Sequence, residues 1–413
     1  MAAETATTGR SCRRWAILAL LFASTVLNYV DRQTLSILAP VVQRDLGMSD
    51  LDYARVVQYF LIAYTLAFLG AGWVTDRLGP KVTLALFVGW WSLANMATGL
   101  ARTTAHLGLA RTALGLGEAG NYTAAPKAVS EHFPPEERAF AIGTYTAGAM
   151  VGATISPPLI AWLALSFGWR AAFIATGALG LVWLIAWLLV YPRRQPVATE
   201  EAREPTPWLA ILSERPIWGF ALARMIADPV WYFYLFWFPK YLIDERGLTL
   251  VGVAQLAWLV YLAADFGSIG GGLFSDRLIR RGVAPPKSRL IGMGLAASLA
   301  PLGVLIATGI GIGPTLAIAA AVAFAHLVFQ VNLGTLIVDI YPPRVVATVF
   351  GLIAAGSGLG GILSTQIVGT LVTTNSYASI FLLMSVLHPI ACVIAWTSLR
   401  SQPVSQLRPA PID

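Results

Sequence analysis

Stretches of about twenty or more mostly apolar residues recur along this chain of 413 residues, and short charged segments separate them. A helix of about 20 apolar residues crosses the hydrocarbon core of a bilayer, where every backbone polar group must be satisfied internally. Apolar residue types make up 57% of the chain, roughly what twelve such helices would need. The sequence therefore predicts an all-α integral membrane protein with twelve transmembrane helices and no sizeable water-soluble domain.

The predicted spans form two groups of six. They lie near 14–40, 53–75, 82–101, 106–128, 139–163 and 171–191, and then near 216–243, 252–275, 290–310, 315–338, 346–372 and 377–398. The longest polar stretch, 192–215, is rich in proline, arginine and glutamate. We interpret it as a cytoplasmic linker between an N-terminal bundle, 14–191, and a C-terminal bundle, 216–398, with cytoplasmic tails at 1–13 and 399–413.

Basic residues are distributed unevenly between alternate connecting segments. If the N-terminus is cytoplasmic, eighteen lysines and arginines lie in the inside segments, and the outside segments hold only Arg44, Arg55, Arg102, Arg170 and Arg246. Short cytoplasmic loops are enriched in basic residues, so both termini are predicted to be cytoplasmic. The net charge of +7 follows from this bias. Because the basic residues are not clustered with aromatics on one solvated face, no nucleic-acid partner is expected.

The two halves repeat one another. Gly72-x-x-x-Asp76-Arg77-Leu78 recurs 200 residues later as Gly272-x-x-x-Asp276-Arg277-Leu278. Phe133-Pro134-Pro135 leads into Gly143, Gly148, Gly152 and Ser156, and Tyr341-Pro342-Pro343 leads into Gly351, Gly356, Gly360 and Ser364. Small residues at every fourth or fifth position let helix backbones approach closely, so spans five and eleven are predicted to be two copies of one tightly packed element. Repeated halves are typical of transporters.

The loop from Gly72 to Lys81 resembles the signature loop of the major facilitator superfamily, although Pro80 stands where a basic residue is usual. The resemblance covers the chain from the first span to the last. It implies two pseudo-symmetric six-helix bundles that rock around a central site. It also implies that Asp76, Arg77, Asp276 and Arg277 take part in gating. The alternative for Asp76 and Arg77 is an ordinary charge pair at a helix end.

Nine ionisable residues remain inside the predicted spans. They are Asp31, Arg32, Arg111, Glu118, Lys127, Arg224, Asp228, Lys240 and Asp265. Each costs roughly 2.5 to 3.5 kcal/mol in a lipid-facing helix, so they are expected to be paired or to line a watery cavity. Lys127 and Lys240 lie near span ends, which favours snorkelling of their side chains to the interface.

Two acid and base pairs on two helices predict one polar centre in the first half. Asp31 adjoins Arg32 in span one, and Arg111 and Glu118 are two helical turns apart on one face of span four. Structural ion pairs are the alternative, but buried pairs add little net stability. Arginine can hold a carboxylate in two parallel bonds, which suits Arg32 and Arg111 to an anionic substrate. Buried carboxylates can exchange protons, which suits Asp31 and Glu118 to proton coupling.

The sequences Asn28-Tyr29-Val30-Asp31-Arg32 and Arg111 to Ala119, with Tyr64, resemble the anion:cation symporter branch of this superfamily. The resemblance implies that Tyr29, Arg32, Tyr64 and Arg111 bind a sugar acid or carboxylate and that Asp31 and Glu118 couple protons. Gly358 stands where sugar-acid members often have an asparagine. In the second half, Ala223 to Trp231, Ala264 to Gly267, and Ala325-His326 resemble the hexuronate transporters of that branch.

Further candidates lie in the second half. Arg224 and Asp228 are spaced to form an i, i+4 bridge, and the alternative is that Arg224 contacts the anion. The aromatic run 231–238 lies between Pro229 and Pro239, which are expected to kink the helix. Most of this run would face lipid, whereas Trp231 and Tyr234 are assigned to the substrate. His326 and Gln330 share a face of span ten and are assigned to substrate hydroxyls, with helix packing as the alternative for the histidine.

These observations predict a proton-coupled symporter that imports a sugar acid, hexuronates first, across a bacterial inner membrane as a monomer, without cofactor or metal. The alternative within transport is an organophosphate exchanger, in which Arg32 and Arg224 would bind phosphate. An integral-membrane enzyme is not expected, because His106, His132, His326 and His388 are dispersed in the sequence with no close ligand pairs.

Overall fold

A computed structural model describes residues 2–192, 208–249, 252, 256, 258–374 and 377–400, and within them the chain is helical with no strand. The predicted linker 192–215 and C-terminal tail 399–413 lie largely outside the described residues. The α-helices are α1 (Ala2–Leu46), α2 (Asp50–Gly99), α3 (Thr104–His132), α4 (Pro135–Phe167), α5 (Trp169–Val190), α6 (Trp208–Leu212), α7 (Arg215–Tyr232), α8 (Phe238–Asp244), α9 (Trp258–Arg280), α10 (Pro285–Leu299), α11 (Ile312–Ile340), α12 (Val346–Thr374) and α13 (Tyr377–Arg400).

The helices group into two compact units. Unit 1 comprises Met1–Phe133, Thr144–Pro205 and Pro343–Gly351, and unit 2 comprises Pro134–Gly143, Thr206–Pro342 and Leu352–Asp413. The units differ from the predicted bundles 14–191 and 216–398 at two short segments. The start of α4 packs in unit 2 and the start of α12 packs in unit 1, because Asp276 and Asp76 hold these segments through hydrogen bonds, as described below.

Seven described helical stretches are long and apolar enough to cross a membrane, one of them the 49-residue stretch Leu51–Gly99. This stretch corresponds to predicted spans two and three, which run on in one helical segment. The break between them is at Gly79, whose φ of 79° and ψ of 161° are not helical. A positive φ is readily adopted only by glycine, so Gly79 lets the chain turn between the two spans.

The helix around the aromatic run is irregular, as the two prolines predict. α7 ends at Tyr232, a π-helical turn covers Phe233–Trp237, and α8 then begins. Pro229 and Pro239 lack the N–H that a regular helix needs, and a π-helical turn between them is one way in which a helix accommodates such a defect.

The predicted close packing of the glycine-rich helices is confirmed in both units. A methyl group at Gly148 would lie 2.7 Å from the carbonyl oxygen of Phe22 in α1, and one at Gly152 would lie 2.6 Å from that of Val26. In unit 2 a methyl group at the corresponding glycines of α12, Gly356 and Gly360, would lie 2.5 and 2.3 Å from the carbonyl oxygens of Ala221 and Met225 in α7. These contacts leave no room for any side chain, so the helix backbones touch.

Candidate functional site

An ion pair between α1 and α3 lies in the interior of unit 1. Nε and a terminal nitrogen of Arg32 donate to the same carboxylate oxygen of Glu118, Oε2, at 3.1 and 2.8 Å. The side chain of Glu118 is fully buried, whereas that of Arg32 is 27% exposed. The Arg32 side chain is therefore partly accessible while its guanidinium is held by the carboxylate.

The partners differ from those expected from adjacency along the chain. Asp31 does not pair with Arg32, because consecutive helical residues point in different directions. Instead, Oδ1 of Asp31 accepts a hydrogen bond of 2.6 Å from the side-chain amide of Asn95, which also bonds Thr176. Glu118 bonds Arg32 rather than Arg111. The charges of Glu118 and Arg111 both act on Asp31, so the structure brings all four charged residues together in one polar centre, as predicted.

Several polar atoms of this centre are buried with no hydrogen-bond partner among the described residues. They are Nε and one terminal nitrogen of Arg111, Oε1 of Glu118, Oδ2 of Asp31 and Nδ2 of Asn28. A buried polar group left unpaired costs about 1 to 3 kcal/mol, and more when it is charged. Such a concentration of unpaired atoms is unusual for a structural ion-pair network, and it leaves both donors and acceptors for a bound molecule and for protons.

Aromatic rings surround the two arginines. The guanidinium carbon of Arg32 lies 4.6 Å from the ring centroid of Tyr64, 5.1 Å from that of Tyr29 and 5.3 Å from that of Phe60. Arg111 approaches the Phe60 ring at 5.2 Å. Cation–π contacts of this kind fix the plane of a guanidinium without using its N–H groups. Tyr29 and Tyr64 are thus placed beside the arginines with which they were predicted to act, and Phe60, which was not predicted, links both arginines.

A second polar cluster lies in unit 2. Arg224 and Asp228 form the predicted i, i+4 bridge at 3.1 Å, and Oδ1 of Asp228 has no partner among the described residues. His326 in α11 stacks on Trp231, with ring centroids 5.6 Å apart and an interplanar angle of 6°. Both amide atoms of Gln330, one turn further along, are buried and unpartnered within the described chain.

Two predictions in unit 2 need correction or restriction. The histidines are not all dispersed, because His326 and His388 meet across α11 and α13 with ring nitrogens 3.1 Å apart. The two histidines are 62 residues apart in the sequence, so the sequence did not predict this contact. Tyr234 is 2% exposed and packs among apolar side chains such as Phe233 and Phe238, whereas Trp231 contacts the polar cluster. Substrate binding by Tyr234 stays a prediction to which this geometry adds nothing.

The repeated loops form matching networks in the two units. In unit 1, Asp76 accepts hydrogen bonds from the backbone N–H groups of Ala347 and Thr348 at 3.2 and 2.7 Å, and from Lys127 at 2.8 Å. In unit 2, Asp276 accepts from the backbone of Phe140 at 2.8 Å and from Arg289 at 2.7 Å. Asp76 thus caps the start of α12, where backbone N–H groups and the helix dipole favour an anion. Asp276 bonds backbone N–H groups in the second turn of α4.

The cations that neutralise these aspartates are not the ones expected. Arg277 is exposed and Arg77 lies over the ring of Trp73, at 5.2 Å. Lys127 was expected to snorkel, but its side chain is 2% exposed and pairs with Asp76, because a buried ammonium requires a carboxylate partner. In unit 2, Arg289 also bonds Asp339 at 2.9 Å. The sequence did not reveal these partners, since Lys127 is 51 residues from Asp76 and Arg289 lies on the helix that follows Asp276, 13 residues away.

Comparison with known proteins agrees with this architecture. The family model for the Major Facilitator Superfamily matches residues 21–365. The hexuronate transporter of Escherichia coli (strain K12) is 32% identical over 95% of this chain and 96% of its own length. The galacturonate transporter of Dickeya chrysanthemi is 36% identical over 63% of this chain and 80% of its own length.

A solved structure extends the comparison at the level of the fold. The human organic anion transporter MFSD10 superposes with a TM-score of 0.72 and 15% identity, over 92% of this chain and 99% of that protein. The sequence relatives are transporters rather than enzymes. The chain therefore belongs to the major facilitator superfamily, with its fold of twelve transmembrane helices.

Proposed function

We propose that this protein is a proton-coupled symporter that imports a sugar acid, with hexuronates such as glucuronate and galacturonate as first candidates. The observation that carries the proposal is the polar centre of unit 1, where Arg111, Glu118 and Asp31 leave buried atoms without partners among the described residues. The names of the hexuronate and galacturonate transporters among its relatives support the choice of substrate. We further propose a bacterial cytoplasmic membrane, cytoplasmic termini, a monomer and no cofactor.

The arginines supply the anion site. Two nitrogens of Arg111 have no partner within the described residues, and the side chain of Arg32 is 27% exposed. A guanidinium binds a carboxylate through two parallel N–H···O bonds. The ring of Phe60 lies against the Arg111 guanidinium, and the two unpartnered nitrogens of Arg111 would be available to a substrate carboxylate. Binding would then place the charge of the substrate among groups that are already desolvated.

The carboxylates supply the coupling. While Glu118 is ionised it holds Arg32 through two hydrogen bonds to one oxygen. A proton on Glu118 removes this attraction, so Arg32 becomes available to the carboxylate of the substrate. Proton binding and anion binding therefore favour one another, as linkage between two sites requires. Asp31 lies next to this pair and gives a second position at which a proton can be held, bonded through Asn95.

Uptake into proteoliposomes tests this function. With an inward proton gradient, the purified protein should accumulate glucuronate or galacturonate above the external concentration, and a protonophore should abolish accumulation. Protein-free liposomes measure leakage of the acid. Failure to accumulate hexuronates and related aldonates under a gradient would refute the substrate assignment.

The same vesicles distinguish the alternative of organophosphate exchange. That function would use Arg32 and Arg224 for phosphate and would need no carboxylate that exchanges protons, whereas here Glu118 bonds Arg32 directly. Vesicles loaded with inorganic phosphate and given a sugar phosphate outside should therefore show no exchange above the protein-free control. Rapid phosphate exchange that is independent of pH would favour the alternative over proton coupling.

A further inference from the structure

We propose that His388 is a positioning residue that fixes the tautomer of His326, so that His326 presents an N–H donor to a hydroxyl group of the substrate. The proposal rests on the function proposed above, because it assigns the second unit to the hydroxylated part of a sugar acid. The first observation is the bond between the rings, in which Nδ1 of His326 lies 3.1 Å from Nε2 of His388.

The two rings form a buried pair whose orientation is fixed. His388 is 0% exposed and His326 is 3% exposed. The rings are nearly perpendicular, at 88°, and His388 also packs edge-on against Phe329 with a centroid distance of 5.4 Å. Trp231 stacks on His326 from the side of α7. Both imidazoles are therefore held by aromatic neighbours, and their hydrogen bond has one geometry.

The charged neighbours come from α7. Arg224 is near enough to His326, and Asp228 to His388, for their charges to interact, but no carboxylate in the described part of the chain forms an ion pair with either ring. Arg224 itself is bonded to Asp228. A buried imidazole without a carboxylate partner is stable in its neutral form, which has one N–H and one lone pair.

The neutral pair has two arrangements of its protons, and burial distinguishes them. Nδ1 of His388 is buried and has no partner among the described residues. Orphaned N–H groups are rare in protein interiors, so this nitrogen is assigned the lone pair. Nε2 of His388 then carries the hydrogen and donates to Nδ1 of His326. As a result, the only N–H group of the His326 ring is at Nε2, which takes no part in the bond to His388.

The donor lies beside a second hydrogen-bonding group. Gln330 is four residues from His326 on the same helix face, and neither atom of its amide has a partner among the described residues. One N–H of fixed direction beside an amide with donors and an acceptor suits neighbouring hydroxyl groups of a sugar. The internal repeat supports a functional role for His326. It lies fifteen residues before Tyr341, just as Glu118 lies fifteen residues before Phe133, so the two residues occupy equivalent positions in the two halves.

Variants of His388 test the proposal through binding. H388L removes the donor, whereas H388Q retains an N–H near the position of Nε2. We expect H388L to weaken glucuronate binding by about tenfold, the loss of one buried hydrogen bond, and H388Q to stay within about threefold of the parent protein. Affinity for a short carboxylate without hydroxyls should be unchanged in both. V386L, at an exposed position on the same helix, is the matched control.

A measurement without substrate keeps the proposal testable if H388L is destabilised or if no sugar acid binds. Nitrogen-15 NMR of the histidine-labelled protein in detergent should show His326 protonated at Nε2, and in H388Q the same tautomer should persist. Protonation of His326 at Nδ1, or equal glucuronate affinity in H388L and the parent, would overturn the proposal. Absence of glucuronate binding in the parent would refute the substrate assignment and leave the tautomer as the deciding result.

Discussion

In the proposed mechanism, proton coupling depends most directly on Glu118. Its Oε2 holds Arg32 while its Oε1 is buried without a partner in the described chain. Glu118→Gln keeps the shape and can still accept from Arg32, but it cannot gain or lose a proton. We expect the variant to lose accumulation against a gradient and to keep exchange of labelled for unlabelled glucuronate. Both rates are measured in the same proteoliposomes.

Asp31→Asn provides a parallel comparison for the second carboxylate. Its bond to Asn95 can be made by the amide oxygen, so exchange should again persist while uphill uptake falls. A variant that loses exchange and accumulation together would show that the carboxylate serves binding or folding, and the separation between anion site and coupling site would be wrong.

Arg32→Lys tests the anion site. An ammonium group cannot supply two parallel bonds to a carboxylate and stacks less well on Tyr64, so affinity for glucuronate should fall at least about tenfold, or about 1.4 kcal/mol. Titration in detergent by isothermal calorimetry measures it. Arg55→Lys is the control, because that side chain is 56% exposed and belongs to a surface pair with Asp52. Equal affinity in Arg32→Lys and the parent protein would show that the Arg32 guanidinium does not bind the substrate carboxylate.

At this scale the sequence predicts which residues meet but not how they pair. Charges inside apolar spans must find partners, so the meeting of Asp31, Arg32, Arg111 and Glu118 follows from composition and position alone. The pairing depends on the rotation of α1 against α3 and on Asn95, a neutral residue in a third helix. The contact between His326 and His388 could not be predicted from the sequence either, because it depends on how α11 packs against α13.

Helix contacts through glycine are the best predicted elements of the molecule, and they give a matched test. A methyl group at Gly72 would lie 2.3 Å from the carbonyl oxygen of Ala347, and one at Gly272 would lie 2.3 Å from that of Ala139. Gly70 and Gly270, two residues earlier in the same helices, have nothing within 4 Å.

Alanine at the two crowded positions should therefore destabilise the protein by about 1 to 3 kcal/mol, because a backbone atom has to move. Gly70→Ala and Gly270→Ala should be neutral or slightly stabilising, since alanine favours helix over glycine by up to about 1 kcal/mol. Thermal denaturation in detergent measures all four. Equal melting temperatures within each pair would contradict the close approach of these helices.

The start and end of helices were less predictable than their packing. The first span was expected to begin at residue 14, but α1 begins at Ala2. Apolar residues mark the part of a helix that crosses the membrane, and the helix itself can continue into the polar residues before it. The two flanking prolines predict an irregular helix in this region. They do not predict that the irregularity is a π-helical turn at Phe233–Trp237. The partners of Asp76 and Asp276 required the structure, since the repeat indicates equivalent loops and not which helix each loop meets.

The distribution of basic residues makes a prediction for the molecule as a whole. Eighteen lysines and arginines in one set of connecting segments and tails, against five in the other set, predict that both termini are cytoplasmic. After Cys12 and Cys392 are replaced by serine, a cysteine at exposed Arg102 should react with a membrane-impermeant maleimide in intact cells. A cysteine at exposed Ala284 should react only after permeabilisation. The reverse labelling pattern would invert the topology.

Proton movement driven by the substrate alone is the most direct test of the central claim. Proteoliposomes containing a pH-sensitive dye, with equal pH on both sides and the membrane potential clamped by potassium and valinomycin, receive glucuronate outside. The account predicts that the lumen acidifies as glucuronate enters, that Glu118→Gln abolishes the acidification while exchange persists, and that protein-free vesicles show neither. Entry of glucuronate through the protein without any change of internal pH would contradict proton-coupled symport.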